Sequence, residues 1–374
     1  MKKKEDFMKA VCEGIDLSDA VLKVVKACAT KTVTPILECV KLSARNDSLI
    51  ILATDGEISI QKTIKADIYE EGDVCVPGRY FSDFIKKLEG VQITLSSDEK
   101  KMDIIYEDSQ TAMQVLSASD FPKIDTDINE NSFKLKTSDL KRFINATSFC
   151  CAGDDSRPIL KGCQFLIRGN ELSVTALDGF RLATIHGELI STTGDMEIVC
   201  PARTLNEIEK MIDGDGETEI FVQKGRILVE VDDTVLTSRL YNGDFIKKEN
   251  IIPRDFTTKV KVDKSALKAS IERAAILVRS DKNSLIIFDI ENNRIEISSN
   301  SEIGSVQEPV KAETEGKDIK IAMNSKFIID AVNALSDDKI VLAFNSQIQP
   351  FICENEVEKD RLYLILPVRT MNNA

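Results

Sequence analysis

Val174-Thr175-Ala176-Leu177-Asp178-Gly179 is an alternating strand running into a polar turn, and the chain contains this pattern three times. Ile51-Leu52-Ala53-Thr54-Asp55-Gly56 precedes it, and Ile297-Ser298-Ser299-Asn300-Ser301 follows. Asp55 to Asp178 and Asp178 to Ser301 are both 123 positions. A second landmark, a strand entering a short helix, recurs at Val76-Pro77-Gly78-Arg79, Cys200-Pro201-Ala202-Arg203 and Met323-Asn324-Ser325-Lys326. Pro77 to Pro201 is 124 positions and Pro201 to Met323 is 122. A third, a serine-led helix after a strand, is expected at Ser18, Ser138 and Ser265, 120 and 127 apart. Agreement among landmarks of different kinds marks an internal repeat, which takes precedence over any local reading.

Each copy reads alike. In the first helix of copy one, Leu17, Val21, Val24, Val25 and Cys28 keep the spacing of one buried face, and Leu267, Ile271, Ala274, Ala275 and Val278 do so in copy three. A second short helix carries Phe81, Phe84, Ile85 and Leu88, matched later by Phe327, Ile328, Ala331, Val332 and Leu335. Period-two strands such as Arg226–Val231 fill the rest, with Asp213-Gly214-Asp215-Gly216 expected as a hairpin turn. Two helices on one face of an antiparallel sheet form an α+β layer. The expected fold is α+β, three tandem copies of a two-helix, antiparallel-sheet module, with modules at 1–127, 128–253 and 254–374. A length of 374 residues is too great for one core and suits this division.

Composition narrows the chemistry. No apolar run approaches the roughly 20 residues of a membrane helix. Met1-Lys2-Lys3-Lys4-Glu5-Asp6 has no hydrophobic region behind it, so no secretory signal is expected and the cytoplasm is the expected compartment. Nine cysteines without a C-x-x-C pair, alongside the single His186, predict buried reduced thiols, and neither metal nor cofactor. There is no phosphate loop, no G-x-G-x-x-G and no serine elbow, so an enzyme is not expected. Tryptophan is absent, which removes the usual platform for stacking single-stranded bases.

The net charge of −13 opposes a polyanion partner until it is divided along the chain. The six helical windows 17–28, 79–89, 138–149, 202–212, 264–279 and 324–335 hold 14 basic residues and 8 acidic ones. They net +6 and the remainder −19, so charge is sorted by element. Arg79 and Lys86 sit seven apart on one helix face, Arg203 and Lys210 repeat the pair, and Lys141 matches Lys268. Repeated basic faces on an acidic chain point to a shared polyanion-facing surface.

Several stretches carry a family resemblance when taken in order: Ala53-Thr54-Asp55-Gly56-Glu57, Val76-Pro77-Gly78-Arg79, Ser119-Asp120-Phe121-Pro122, Ala176–Ala183, Arg273–Leu277 and Leu366-Pro367-Val368-Arg369. Over essentially its whole length the chain resembles the beta subunits of bacterial DNA polymerase III, the sliding clamps. The resemblance implies a DNA clamp fold forming half of a closed ring. Two chains would meet head to tail, with Met113 of one module facing Ile276 and Leu277 of another. It implies duplex DNA held by encirclement, without sequence readout, in the cytoplasm at the nucleoid. Lys23, Lys26, Lys31, Arg79, Lys86, Lys141, Arg142, Arg157, Arg203, Lys210, Lys264 and Lys268 are the DNA-facing positions.

It also implies a pocket for short linear peptides from the replicative polymerase alpha subunit, the clamp loader, repair polymerases and mismatch-repair proteins. Its matching positions begin with Leu160, Leu177, Gly179, Arg181, Leu182, Ile246 and Ile251. Asn324, Phe327 and Ile348 follow, and the last strand and tail supply Leu364, Ile365, Leu366, Pro367, Val368 and Arg369. Phe180 stands where histidine is common, Ile246 where proline is usual, Asn250 at a basic position and Lys282 at an aromatic one, and 371–374 extend the end. These departures bear on which peptide is preferred. A repeat-built scaffold that does not encircle DNA is the alternative, and the oligomeric state discriminates the two.

Overall fold

A computed structural model of the chain describes residues 7–124, 126, 131–279 and 284–369. Lys282 and the 371–374 extension lie outside the described residues. Six helices of eight or more residues occur among the described residues: α1 Gly14–Val24, α2 Gly78–Ile85, α3 Thr137–Thr147, α4 Ala202–Met211, α5 Lys264–Val278 and α6 Ser325–Ala334. None of them is long and apolar enough to cross a membrane. Each expected helical window overlaps one. The strands are antiparallel throughout.

By internal contacts the chain divides into two compact units. The first comprises Met1–Lys134, Lys210–Asp213 and Glu217–Leu240. It contains a five-stranded sheet in which Lys9–Glu13 is flanked by Asp67–Glu70 and Gln92–Ser97, continuing through Lys101–Tyr106 to Ser109–Gln114. It also contains seven neighbouring strands in the order Glu217–Gln223, Arg226–Val231, Thr234–Arg239, Ile58–Lys65, Ser48–Thr54, Cys39–Arg45 and Gly72–Pro77. Helix α1 packs on Ser48–Thr54 and Ile58–Lys65 and against α2, burying Leu17, Val21 and Val24 as its spacing requires.

The second unit comprises Leu135–Glu209, Gly214–Gly216 and Tyr241–Ala374. Its twelve-stranded sheet runs from Met196–Pro201 through Gly162–Arg168, Glu171–Leu177 and Arg181–Glu188 to Arg361–Ile365. It then continues through Phe351–Asn355, Lys339–Phe344 and Thr258–Asp263, and ends in four more strands of the last copy. Helix α3 covers Glu171–Leu177 and Arg181–Glu188, while α5 covers Leu285–Glu291, Arg294–Ser301 and Gly304–Gly316 and packs on α6.

The repeated turns are built alike. Asp55 Oδ1 accepts from the Glu57 and Ile58 amides at 2.9 and 3.0 Å, and Asp178 Oδ1 from the Phe180 and Arg181 amides at 2.9 and 3.0 Å. The glycine between them takes a positive φ in both, +93° at Gly56 and +90° at Gly179, where a side chain would be strained. In the third copy Ser301 pairs with Gly304 instead, closing the hairpin without an aspartate.

Three sequence expectations need correcting. Helix α1 starts at Gly14 and not at Ser18, so Gly14 to Thr137 is 123 positions and the first interval of the third landmark joins the common period, while Thr137 to Lys264 stays at 127. A Cβ at Gly14 would stand 1.9 Å from the Leu88 carbonyl oxygen, so close approach selects glycine there. Asp213–Gly216 is no hairpin. It joins the end of α4 to strand Glu217–Gln223, because the apolar face of α4 continues to the buried Ile212. The cysteines are also less dispersed than the sequence implies. All are free thiols, but the fold brings Cys151 Sγ to 3.5 Å from Cys163 Sγ. Burial pushes thiol pKa values up, to about 12 at Cys12, Cys28 and Cys75, which keeps them protonated and unreactive.

Candidate functional site

Many of the expected pocket positions lie in an apolar cluster of the second unit, where strand Arg181–Glu188 pairs with Arg361–Ile365. The register sets Leu182 opposite Leu364 and Arg181 opposite Ile365. Leu182 and Leu364 point to one face with Leu160 and Leu177, and all four belong to one buried cluster with Val199, Phe245, Ala343 and Ile352. Ile246 and Ile251, from the connector that leaves the second copy, pack half-buried against it. Six of the expected pocket positions are thus assembled from four separate parts of the chain. Ile365 is 1% exposed and absent from that cluster, because successive strand residues face opposite ways.

The rim is polar and aromatic. Gly179 lets the turn reverse, and the following Phe180 is 63% exposed and stacks on Phe327 of α6, centroids 6.4 Å apart. Leu366 donates its amide to the Phe180 carbonyl at 2.9 Å, and Val368 to Ala322 at 2.8 Å, so the terminal segment is laid along the rim. Pro367 lies between them, half-buried, and Arg369 beyond them is exposed. Asn324 caps α6, its Oδ1 accepting from the Lys326 amide at 2.9 Å. Ile348 is 51% exposed.

Arg181 is not a free anchor. It is 8% exposed, donating Nε to Asp178 at 3.0 Å, Nη1 to Asp330 at 2.6 Å and Nη2 to the Phe149 carbonyl at 2.7 Å. Its guanidinium lies 4.6 Å from the Phe327 ring centroid and 5.5 Å from that of Phe149. A buried charge is tolerated only when paired and fully hydrogen-bonded, and here it is both. The arginine therefore clasps the Asp178 turn to α6 and holds Phe327 beneath Phe180. Sequence reasoning missed Asp330, although it sits three residues after Phe327 and so on the same helix face. The Phe149 carbonyl leaves no trace in sequence.

Lys248 was missed as well. From the short turn Lys248–Asn250 its Nζ reaches Ser173 Oγ at 2.5 Å, Thr184 Oγ1 at 3.0 Å and His186 Nε2 at 3.2 Å. It pins the connector that carries Ile246 and Ile251 to the Glu171–Leu177 and Arg181–Glu188 pair. With neutral partners, burial pulls the Lys248 pKa below its usual value; burial and then the neighbouring Lys248 charge lower that of His186.

The basic positions differ in exposure. Arg79 on α2, Lys86 at its end, Arg203 and Lys210 on α4, Lys26 after α1, and the loop residues Lys31 and Arg157 are exposed. Lys23 pairs with Asp19 at 2.9 Å and Lys268 with Glu272 at 3.8 Å, both along a helix, and Lys141 is half-buried. Such pairs leave the cation at the surface and contribute only about 0.3–0.5 kcal/mol. Two others are occupied. Arg142 is shared between Asp139, at 3.0 Å, and Asp360, and Lys264 donates to the Leu335 carbonyl at 3.1 Å. Of the remaining expected positions, Met113 is half-buried on its strand, Ile276 is 67% exposed on α5, and Leu277 is half-buried. No cluster of three or more potential metal ligands occurs among the described residues.

Comparison with known proteins accounts for nearly all of the chain. The family model of the DNA polymerase III beta subunit N-terminal domain matches residues 8–125, that of the central domain 134–247 and that of the C-terminal domain 249–369. Beta sliding clamps of Staphylococcus epidermidis and Staphylococcus aureus are each 32% identical over 357 residues, covering 92% of this chain and 95% of theirs. Among solved structures, the DNA polymerase sliding clamp of Bacillus subtilis superimposes with a TM-score of 0.92 at 28% identity, covering 97% of this chain and 99% of that one. A putative DNA polymerase III beta subunit from Eubacterium rectale gives 0.92 at 32% identity, covering 97% and 100%. With three consecutive domains matched in order on three sequence repeats, the chain belongs to the DNA polymerase III beta subunit family, the beta sliding clamps.

Proposed function

We propose that two copies of this chain close into a ring around duplex DNA and tether DNA polymerase to it as a sliding clamp, a processivity factor without catalytic activity. The single observation that carries this reading is the threefold repeat matched domain by domain to the beta subunit family. In this reading the modules span 1–127, 128–253 and 254–374. The first module of one copy meets the third of the other, a head-to-tail contact that closes after two subunits. Ile276, an exposed aliphatic residue on α5, fits that role with Leu277 and Met113, since such a residue gains by being covered.

The DNA contact is electrostatic and independent of sequence. Lys26, Lys31, Arg79, Lys86, Arg157, Arg203 and Lys210 are its strongest candidates because they are exposed. Lys23, Lys141 and Lys268 can add to it. Arg142 and Lys264 act within the fold, holding Asp360 and the end of α6. A ring needs only weak contacts to stay on DNA, and weak contacts permit sliding.

The apolar cleft around Leu177, Leu182 and Leu364 takes a short, largely extended peptide. Its apolar floor and few polar rim groups suit that ligand. The alpha subunit of the replicative polymerase, the clamp loader, repair polymerases and mismatch-repair proteins are the proposed carriers, in the cytoplasm at the nucleoid. Phe180 on Phe327 favours peptides with an apolar or aromatic side chain at the rim. Arg181 serves by holding the rim together rather than by reaching the peptide.

Gel filtration with light scattering tests closure, with a dimer expected at micromolar concentration and a monomer contradicting the ring. Topology is tested by loading the protein on circular duplex DNA with its loader and then cutting the circle. Release on cutting is expected, and retention would exclude encirclement.

A further inference from the structure

The repeat provides a second cleft, in the first unit, with opposite chemistry. Thr54 and Ser59 stand 123 positions before Leu177 and Leu182. Ser59 pairs across its sheet with Thr237 as Leu182 pairs with Leu364. Hydroxyls therefore form the floor here where the other cleft has leucines. Over them sits a cavity of about 120 Å³, bordered by Lys123, Arg226 and Arg239.

The cations are the unusual part. Arg226 and Arg239 are register partners on adjacent antiparallel strands, and like charges placed directly opposite are destabilising. The chain has 62 carboxylate side chains to 49 cationic ones, so partners are plentiful. Yet among the described residues neither arginine nor Lys123 has a carboxylate within 4.0 Å. Glu57 lines the same cavity without forming an ion pair. Thr54 and Thr237 are almost fully buried, so their hydroxyls are fixed in place. Two guanidinium forks and one amine around a space of this size match a multiply charged tetrahedral oxyanion, while the Thr54 and Ser59 hydroxyls donate within the floor, to the Ile58 carbonyl and to Thr54 Oγ1.

We propose that this cavity binds a phosphate group, supplied either as inorganic phosphate or as the terminal phosphate of a nucleotide whose nucleoside stays outside. The anion neutralises the opposed Arg226 and Arg239 and ties the segment carrying Lys123 to the Thr234–Arg239 strand. The site is independent of peptide capture in the other cleft, so failure of one reading leaves the other intact.

The test is calorimetric titration of the full-length protein with sodium phosphate and, separately, with a nucleoside triphosphate, in chloride buffer at constant ionic strength. Saturable binding of either is expected, and it should weaken about tenfold or more in Arg226→Gln and Arg239→Gln, as loss of a charge-assisted fork requires. Lys123→Gln, on a connecting segment, should weaken it less and guards against misfolding of the strand variants. Thermal unfolding should move upward with phosphate in the native protein and stay fixed in the Arg226→Gln, Arg239→Gln double variant. Binding of inorganic phosphate assigns the free ion, and binding of the triphosphate alone assigns the nucleotide. No binding of either, or binding undiminished in the variants, overturns the proposal.

Discussion

The two clefts occupy corresponding places in the repeat and differ in what their arginines face. In the second unit Arg181 is clasped by Asp178 and Asp330 and lies over Phe327, beside a floor of Leu177, Leu182 and Leu364. In the first, Arg226 and Arg239 oppose each other over Thr54, Ser59 and Thr237 with no carboxylate in reach among the described residues. The backbone explains neither difference. Both clefts have the same Asp-Gly turn, the same Asx hydrogen bonds and the same strand pairing. The repeat fixes where the site lies, and a handful of side chains fix whether its floor is lined by leucines or by hydroxyls.

The comparison is most exposed at the arginines. Arg181→Ala leaves Asp178 and Asp330 facing each other's charge with their shared cation gone. Breaking a buried pair in this way costs about 3–5 kcal/mol. Arg239→Ala in the other cleft removes a repulsion and should leave stability unchanged or slightly raised in phosphate-free buffer. Urea unfolding of both variants decides it, and equal losses would remove the distinction between a clasped and an unclasped arginine. Peptide capture should also fail in Arg181→Ala, through collapse of the rim.

Exchanging the floors is the next test. Leu182 is 2% exposed, so Leu182→Ser should cost about 2–5 kcal/mol and abolish peptide capture. The reciprocal Ser59→Leu adds bulk to a site 7% exposed and should cost about 1–3 kcal/mol. Unfolding midpoints give both numbers. A Ser59→Leu protein that captured polymerase-derived peptides at its first cleft would show that the floor alone determines the ligand.

Phe180→Ala probes the rim. The ring is 63% exposed and its stack on Phe327 is offset at 6.4 Å, so the stability change should stay near or below about 1 kcal/mol. Peptide affinity should fall while the dimer persists. Unchanged affinity by fluorescence titration would remove Phe180 from the binding surface.

Much of this was legible in the chain itself. The period and a helix in each of six windows follow from spacing and alternation, because burial enforces periodicity, whereas the floor leucines were marked only by the family resemblance. What escaped depends on distance in three dimensions. The start of α1 at Gly14 was missed because the carbonyl of Leu88 that selects the glycine is remote in sequence. Asp213–Gly216 looked like a hairpin because turn chemistry does not say what lies on either side. Arg181 read as a ligand anchor because its partners Asp330 and the Phe149 carbonyl are supplied by two other segments. Within the observed helix bounds the basic excess falls from +6 to +2, and the charge division could not separate Arg79, which is exposed, from Arg142, which is spent on Asp139 and Asp360.

The connectors give the smallest and most specific contrast. Lys248 pins the connector of the apolar cleft to His186, whereas Lys123 borders the anion cavity of the other. His186 is the chain's single histidine, and burial and Lys248 hold its pKa below 6.5. In the unfolded chain it takes a proton near the ordinary value, so acidification favours unfolding. Its contribution is therefore complete above pH 6.5 and is lost as pH falls from there through the folded value. One group titrating in this way can change stability by at most about 1.4 kcal/mol per pH unit. The exposure of the ring reduces that to about a few tenths. The difference in unfolding free energy between the native protein and His186→Gln should accordingly shrink on acidification through this window and be level above it. A difference independent of pH would mean that His186 does not sense Lys248, and the connector would then be held by Ser173 and Thr184 alone.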